Sequence, residues 1–397
     1  MNREDFNMLD GDLIYFDNAA TTLKPKCVSD VIYSYNNCHT SNIHRGDYDI
    51  AIKTDKLYDG VRDIVGKFVN CSSQEVIFNS GATMGMNMVV FGFFRKVLTS
   101  TDEVLVSKSE HASNLLPWIK LSEEIGFSIK FIELDDSYEI SYSNILNSIT
   151  SNTKVISIAH ITNVVGDVRD VDLIGKLCKE KGIYFVVDGA QSVAHMKVDF
   201  KKSNMDFLVF SSHKMCGPTG VGVLVGKYEF LEMMDPIMYG GGMNYAFDSN
   251  LSYILKNVPI KFEAGTPNIS GVIGLGRAIE YLSFIGMDVI SKYEVSLCKY
   301  LISKLSLNKK VILYNKNCSS GIVSFNIEGV SSMDVADYLN CFNICVRAGN
   351  HCAKVLKDDF KINNTVRISL YFYNTIDEIN KLLDVLEKCD KIFEVAI

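Results

Sequence analysis

Short apolar runs alternate with amphipathic stretches through the first half of the chain. Residues 76–78 (VIF), 103–107 (EVLVS), 155–159 (VISIA), 184–187 (YFVV) and 207–210 (FLVF) are rich in β-branched and aromatic side chains and read as buried strands. Between them lie segments such as 171–180, whose apolar positions recur at helical spacing. Alternation of this kind predicts an α/β fold with a parallel sheet. A long helical stretch over 271–305 bridges to a second region. There the strands at 322–327 and 344–346 alternate with helices, which predicts a smaller α+β domain. The expected division is a large domain over 14–280 and a small one over 281–397, with residues 1–13 packed on the latter.

At 397 residues and 47% hydrophobic composition, the chain has the size and apolar content for a large core and a smaller one. The net charge of −7 is spread without a basic stripe, so no nucleic-acid partner is expected. Residues 1–16 lack the basic start and apolar centre of an export signal, and the most apolar later run, near 86–94, is too short to span a membrane. A soluble, cytoplasmic protein without membrane partners is expected. The odd total of 11 cysteines fits reduced thiols better than a disulfide framework.

Chemistry gathers where the strands end. The residues just beyond the five runs are SGAT (80–83), SEHASN (109–114), HITN (160–163), DGAQ (188–191) and SSHK (211–214). Ligands of parallel sheets bind outside the carboxyl ends of strands, so these segments predict one pocket holding His111, Asn163, Asp188, Gln191 and Lys214. A lysine for a Schiff base and an acid beside a ring nitrogen are what pyridoxal phosphate requires. Ser80, Gly81 and Thr83 precede a helical stretch and suit its phosphate, with Ser211 and His213 adding contacts. A lone lysine after a strand is ordinarily a solvated surface residue, and a lone cysteine an inert core thiol. Cys352 stands apart because RAGNHCAKVL (347–356) sets it among an arginine, a glycine and a histidine, which marks it as a nucleophile.

The segments YFDNAATT (15–22), HRGDY (44–48), SEHASNLLPW (109–118), DGAQSVAH (188–195), FSSHKMCGPTGVGVLVGK (210–227), FEAGTPN (262–268), RAGNHCA (347–353) and RISLYFYNT (367–375) occur in this order over nearly the whole chain. Together they resemble the SufS-type cysteine desulfurases among the class V, fold-type I pyridoxal-phosphate enzymes. The resemblance implies a mostly parallel seven-stranded sheet flanked by helices. It implies that Lys214 forms the Schiff base with pyridoxal 5'-phosphate, Asp188 pairs with the ring nitrogen, Gln191 and Asn163 contact the ring hydroxyl side, and His111 stacks on the ring. Ala82, Thr83, Ser211 and His213 would hold the phosphate. In a homodimer, Thr266 would reach the neighbour's phosphate, and His44 and Arg45 would border its substrate. Arg367, with Arg347 and Asn163, would bind the carboxylate of L-cysteine.

The implied reaction converts L-cysteine to L-alanine, leaves a persulfide on Cys352, and passes sulfur to a SufE- or SufU-like acceptor for iron–sulfur cluster assembly or other thiolation. No metal is implied. Cys352 is expected to be partly shielded by its short loop. Met84, Asn350, Lys354 and Val355 depart from the family pattern and bear on acceptor choice and on selenocysteine discrimination. Two other readings compete: a related aminotransferase, C–S lyase or selenocysteine lyase in which Cys352 is incidental, and a metal-binding scaffold built on Cys341, Cys345, His351 and Cys352.

Overall fold

The computed structural model describes residues 3–388 except 45, 315, 316, 318, 362 and 363, with the side chains of 359 and 360 also left out. Arg45 therefore lies outside the described residues. Seven strands form the main sheet: β1 Val76–Asn79, β2 Glu103–Ser107, β3 Ser128–Ile132, β4 Thr153–Ala159, β5 Tyr184–Asp188, β6 Phe207–Ser211 and β7 Gly222–Gly226. Their order is β1-β7-β6-β5-β4-β2-β3. Every neighbouring pair is parallel except the two made by β7, which runs against both β1 and β6. The carboxyl ends of the other six strands thus share one edge. This is the α/β sheet that the alternating pattern implies.

Five strands coincide with the apolar runs, because a sheet covered on both faces selects continuous hydrophobic strands. The two that pattern alone does not reveal have physical excuses. Strand β3 lies at the edge of the sheet and buries only Ile132 fully, while β7 sits inside a glycine-rich stretch that reads as a loop. On one face, helices Lys26–Cys38, Asp49–Val69 and Ile269–Ile285 bury Val28, Val61, Val65 and Leu275 against Ile156, Phe185 and Leu208 of the sheet. On the other face Phe93, Phe94 and Trp118 pack against Val186, Phe207 and Val209.

The long stretch near 271–305 is two helices, Ile269–Ile285 and Met287–Leu305, bent by 74° at Gly286. Among the described residues no single helix is long and apolar enough to cross a membrane. Beyond the bend, β8 Val311–Leu313, β9 Ile322–Ile327, β10 Arg347–Gly349 and β11 Thr365–Ser369 form an antiparallel sheet in the order β8-β9-β11-β10. Helices Met287–Leu305 and Ile376–Leu386 cover it, burying Leu297, Leu301, Ile379 and Leu382 against Val323, Phe325 and Ile368. The amino-terminal segment ties the two sheets together. Ile14–Tyr15 pairs in parallel with Ile344–Cys345, and Phe6 packs on Tyr281, Phe372 and Tyr373.

Candidate active site

Strand β5 ends at Asp188, which is buried, and the chain turns at once so that the Ala190 amide donates to Asp188 Oδ1 at 2.9 Å. Burial outweighs that hydrogen bond and pushes the carboxyl up to about 6. One residue on, Gln191 donates from Nε2 to the Ala19 carbonyl at 2.9 Å, and its Oε1 is buried without a hydrogen-bond partner. From the loop after β4, Asn163 donates from Nδ2 to the His351 carbonyl at 2.7 Å and likewise leaves Oδ1 bare. His111 follows β2. Its Nδ1 accepts the Ser113 amide at 3.1 Å, which leaves the ring proton on Nε2. Burial, then the charges of Lys214, Arg347 and Arg367, lower His111 to about 4, so the ring is neutral at pH 7.

Lys214 ends the short helical turn Ser212–Lys214 directly after β6. The YFDNAATT segment fixes that turn: Thr21 and Thr22 hydroxyls donate to the His213 carbonyl at 3.0 and 3.1 Å, and Thr22 Oγ1 accepts the Cys216 amide at 2.8 Å. Cys216 accordingly adopts φ +63°, an uncommon conformation for a residue with a Cβ. Burial lowers the Lys214 amine to about 8, against the attraction of Asp188 and with help from Arg367 and Arg347. A lysine whose charge is this weakly held can lose its proton near neutral pH, as a Schiff-base former or a base must.

At the other end of the cavity, Ala82 donates its amide to Ser211 Oγ at 2.8 Å, and Thr83 and Ser113 share a hydroxyl hydrogen bond of 2.7 Å. Gly81 sits at φ +150°, and a Cβ on the facing Gly222 would fall 2.3 Å from the Gly81 Cα, so both positions need glycine. The backbone turn there stays close and bare of side chains.

Arg367 lies on β11, almost fully buried, and donates to the Asn163 carbonyl at 2.9 Å and to Asp17 Oδ1 at 3.0 Å, while its Nε has no partner among the described residues. Directly across the strand pair stands Arg347 on β10. Burial holds Arg367 below its ordinary range against the attraction of Asp17, and the like charge of Arg347 in register adds to that. An incoming carboxylate relieves both costs. Strand β10 ends at Gly349, at φ +133°, and the chain then passes through His351 at +54° and Cys352 at +58°. Asn350 Oδ1 accepts the Cys352 amide at 3.0 Å, and the Cys352 carbonyl accepts the Ala112 amide at 2.9 Å, next to His111. Asn350, a departure from the family pattern, is thus the side chain that closes this turn. Cys352 is exposed, which corrects the expectation of a partly shielded thiol: the left-handed pair at 351 and 352 buries the histidine and turns the cysteine outward.

A cavity of about 200 Å³ is lined by Ala82, Thr83, His111, Asn163, Asp188, Gln191, Ser211, His213, Lys214, Arg347, Cys352 and Arg367, which come from both sheets. Sequence reasoning assigned no role to the lining residues Ala19, Ala20, Ser113, Ala159, Ile161 and Ala190, and weighed His351 only as a metal ligand. Ala19 belongs to a motif that was visible. The small residues carry no chemical signal of their own. Ser80 does not join this cavity; it lines a neighbouring, largely apolar one of about 280 Å³ with Met84 and Thr266. Thr266 is exposed and accepts Asn42 Nδ2 at 3.3 Å, and His44 lies beside Asp55 and Asp59. Neither Thr266 nor His44 lines this chain's own cavity.

A buried ion pair braces the loops that bring His111 and Asn163 together. Strands β2 and β4 stay in register only to Leu105 and Ile156, and past that point the Glu110 carboxylate fills the gap. It accepts from Arg169 Nη1 at 2.6 Å, Ser107 Oγ at 2.6 Å, Asn114 Nδ2 at 2.7 Å and the Ala159 amide at 2.8 Å. Arg169 also donates to Ser109 Oγ, to the Ala159 carbonyl and, from Nε at 3.3 Å, to the buried Asp167 carboxylate, so one guanidinium serves two carboxylates. Among the described residues no group of three His, Cys, Asp or Glu side chains is placed to hold a metal ion.

Comparison with known proteins agrees with this geometry. The chain is 38% identical over 382 residues to a probable cysteine desulfurase of Halalkalibacterium halodurans, spanning 96% of this chain and 94% of the relative. It is 37% identical to a probable cysteine desulfurase of Ureaplasma parvum over the same shares. Among solved structures, the apo cysteine desulfurase of Thermococcus onnurineus NA1 superposes with a TM-score of 0.94 at 36% identity, covering 97% of this chain and 96% of that one. The cysteine desulfurase CsdA of Escherichia coli gives 0.92 at 30% identity, covering 98% of each chain. Residues 14–382 match the aminotransferase class-V family, and the chain belongs to it.

Proposed function

We propose that this protein is a pyridoxal-phosphate-dependent cysteine desulfurase, which converts L-cysteine to L-alanine and retains the sulfur as a persulfide on Cys352. The observation that carries this reading is an exposed thiol on a left-handed turn lining the same cavity as Lys214, Asp188 and the opposed Arg347 and Arg367. The cavity fits the cofactor: the bare acceptors Asn163 Oδ1 and Gln191 Oε1 await a hydroxyl donor, Asp188 awaits a ring N–H, and Thr83, Ser211 and His213 line the cavity with donors for a phosphate. Lys214 would hold the aldehyde carbon, and Ala82, Thr83, Ser211 and His213 the phosphate.

When bound, pyridoxal phosphate supplies an electron sink for the bonds to be broken at Cα and Cβ. Asp188 would keep the ring nitrogen positive and so strengthen that sink. His111, neutral and held by Ser113, would cover the ring face. Arg367, with Arg347 opposite, binds the substrate carboxylate and fixes which Cα bond faces Lys214. With its amine near 8, Lys214 takes the Cα proton and can return it elsewhere. The Cys352 sulfur, as thiolate, bonds to the substrate sulfur while the Cβ–S bond breaks; the electron pair stays on carbon, and protonation there yields alanine.

The same reading includes a homodimer, in which Thr266, His44 and Arg45 serve the neighbouring subunit's site. The place of Thr266 and His44 away from this chain's own cavity supports it. It also includes a cytoplasmic location, a SufE- or SufU-like sulfur acceptor, delivery to iron–sulfur cluster assembly, and domains over 14–280 and 281–397. The test is product stoichiometry. Cofactor-loaded protein given L-cysteine and a thiol reductant should release alanine and sulfide in equal amounts, whereas a keto acid in place of alanine would overturn the desulfurase reading in favour of an aminotransferase or a lyase.

A further inference from the structure

His351 is almost fully buried, yet it lines the cavity beside Cys352. Its Nε2 lies 3.1 Å from the Thr365 carbonyl, which can only accept, so Nε2 carries the proton and Nδ1 a lone pair. Nδ1 is buried and has no hydrogen-bond partner among the described residues. Burial, then the charges of Arg367 and Lys357, lower this ring to about 2, so Nδ1 stays an acceptor throughout the working pH range. A buried acceptor left bare is costly, which makes it a place where an incoming donor gains affinity.

We propose that His351 is a specificity residue: its Nδ1 accepts the hydrogen of the substrate's thiol and so aims the substrate sulfur at Cys352. The inference rests on the reading of L-cysteine as substrate and follows by elimination among that molecule's groups. Its carboxylate is taken by Arg347 and Arg367. Its amine goes to the position that Lys214 vacates. The thiol is the remaining donor. Of the three bare acceptors lining the cavity, Asn163 Oδ1 and Gln191 Oε1 are assigned to the cofactor, and the third adjoins the nucleophile in sequence. The hydrogen bond is selective because the site then prefers S–H over a methyl group of similar size.

The test uses cofactor-loaded Cys352→Ser protein, in which sulfur transfer is blocked and binding is read from the visible absorbance. With His351 present, L-cysteine should bind about fivefold to tenfold more tightly than L-2-aminobutyrate, which carries a methyl group in place of the thiol. His351→Phe should bring that ratio to near one, and His351→Asn, which keeps an acceptor, should retain most of it. An undiminished preference in His351→Phe overturns the proposal. Nitrogen-15 NMR of histidine-labelled Cys352→Ser protein gives a second reading that needs no substitution at 351. The His351 Nδ1 resonance should be that of a bare nitrogen and should move with L-cysteine but not with L-2-aminobutyrate; a protonated Nδ1 before ligand addition also overturns it. Failure of the desulfurase reading is separate, since it shows as missing alanine from the unsubstituted enzyme.

Discussion

Asp188→Asn should make the cofactor-free protein more stable and the loaded enzyme nearly inactive. Burial raises the Asp188 carboxyl from 3.8 to about 6. Holding it ionised at neutral pH therefore costs the folded state about 3 kcal/mol relative to the unfolded chain. Asparagine mimics the neutral carboxyl and its Oδ1 can still accept the Ala190 amide, so the substitution removes the cost and keeps the hydrogen bond. The sign follows from linkage: an acid raised on folding contributes stability that is fully present below 3.8 and lost as pH climbs through about 6. The advantage of Asp188→Asn should thus be near its full value at pH 7.5 and shrink towards pH 4. Urea unfolding of both cofactor-free proteins at pH 7.5, 6 and 4.5, with midpoints and slopes compared, measures it. Equal stability at pH 7.5, or a difference that does not vary with pH, would refute the assignment of Asp188 as a desolvated carboxylate kept for the cofactor. In the loaded enzyme the same change should slow turnover by orders of magnitude, because the ring nitrogen loses its charged partner.

Other perturbations separate the roles at the site. Borohydride reduction of the yellow, cofactor-loaded protein should fix the cofactor on the Lys214 peptide, and Lys214→Ala should lose turnover while still holding cofactor noncovalently; cofactor fixed on another lysine would contradict this. Arg367→Ala should raise KM for L-cysteine about tenfold or more through the lost carboxylate contact, and it should lower stability as well because Asp17 and the Asn163 carbonyl lose their donor. Arg169→Leu leaves Glu110 and Asp167 buried without their cation and should cost about 3–5 kcal/mol in chemical unfolding, while Arg169→Leu with Glu110→Leu and Asp167→Asn should recover much of that loss.

Much of this arrangement is legible in the sequence, for a physical reason. Strand ends of a parallel sheet converge, so polar residues after successive apolar runs had to meet, and His111, Asn163, Asp188, Gln191 and Lys214 do. The arginines, by contrast, are known as opposed neighbours only from the pairing of β10 with β11, which no periodicity reveals. Backbone conformation was equally hidden. Nothing in RAGNHCA announces two consecutive left-handed residues, and that geometry decides that Cys352 is exposed and His351 buried. The Glu110–Arg169 brace escaped notice because its members are 59 positions apart and look like ordinary surface charges in sequence.

The most direct test of the account locates the sulfur. Cofactor-loaded protein incubated briefly with L-cysteine, alkylated and digested without reductant should show by mass spectrometry one peptide carrying an extra sulfur, at Cys352. Cys352→Ser should carry none and release no alanine through sulfur transfer. A persulfide mapped to Cys216 or Cys345, or wild-type desulfuration by Cys352→Ser, would contradict the mechanism.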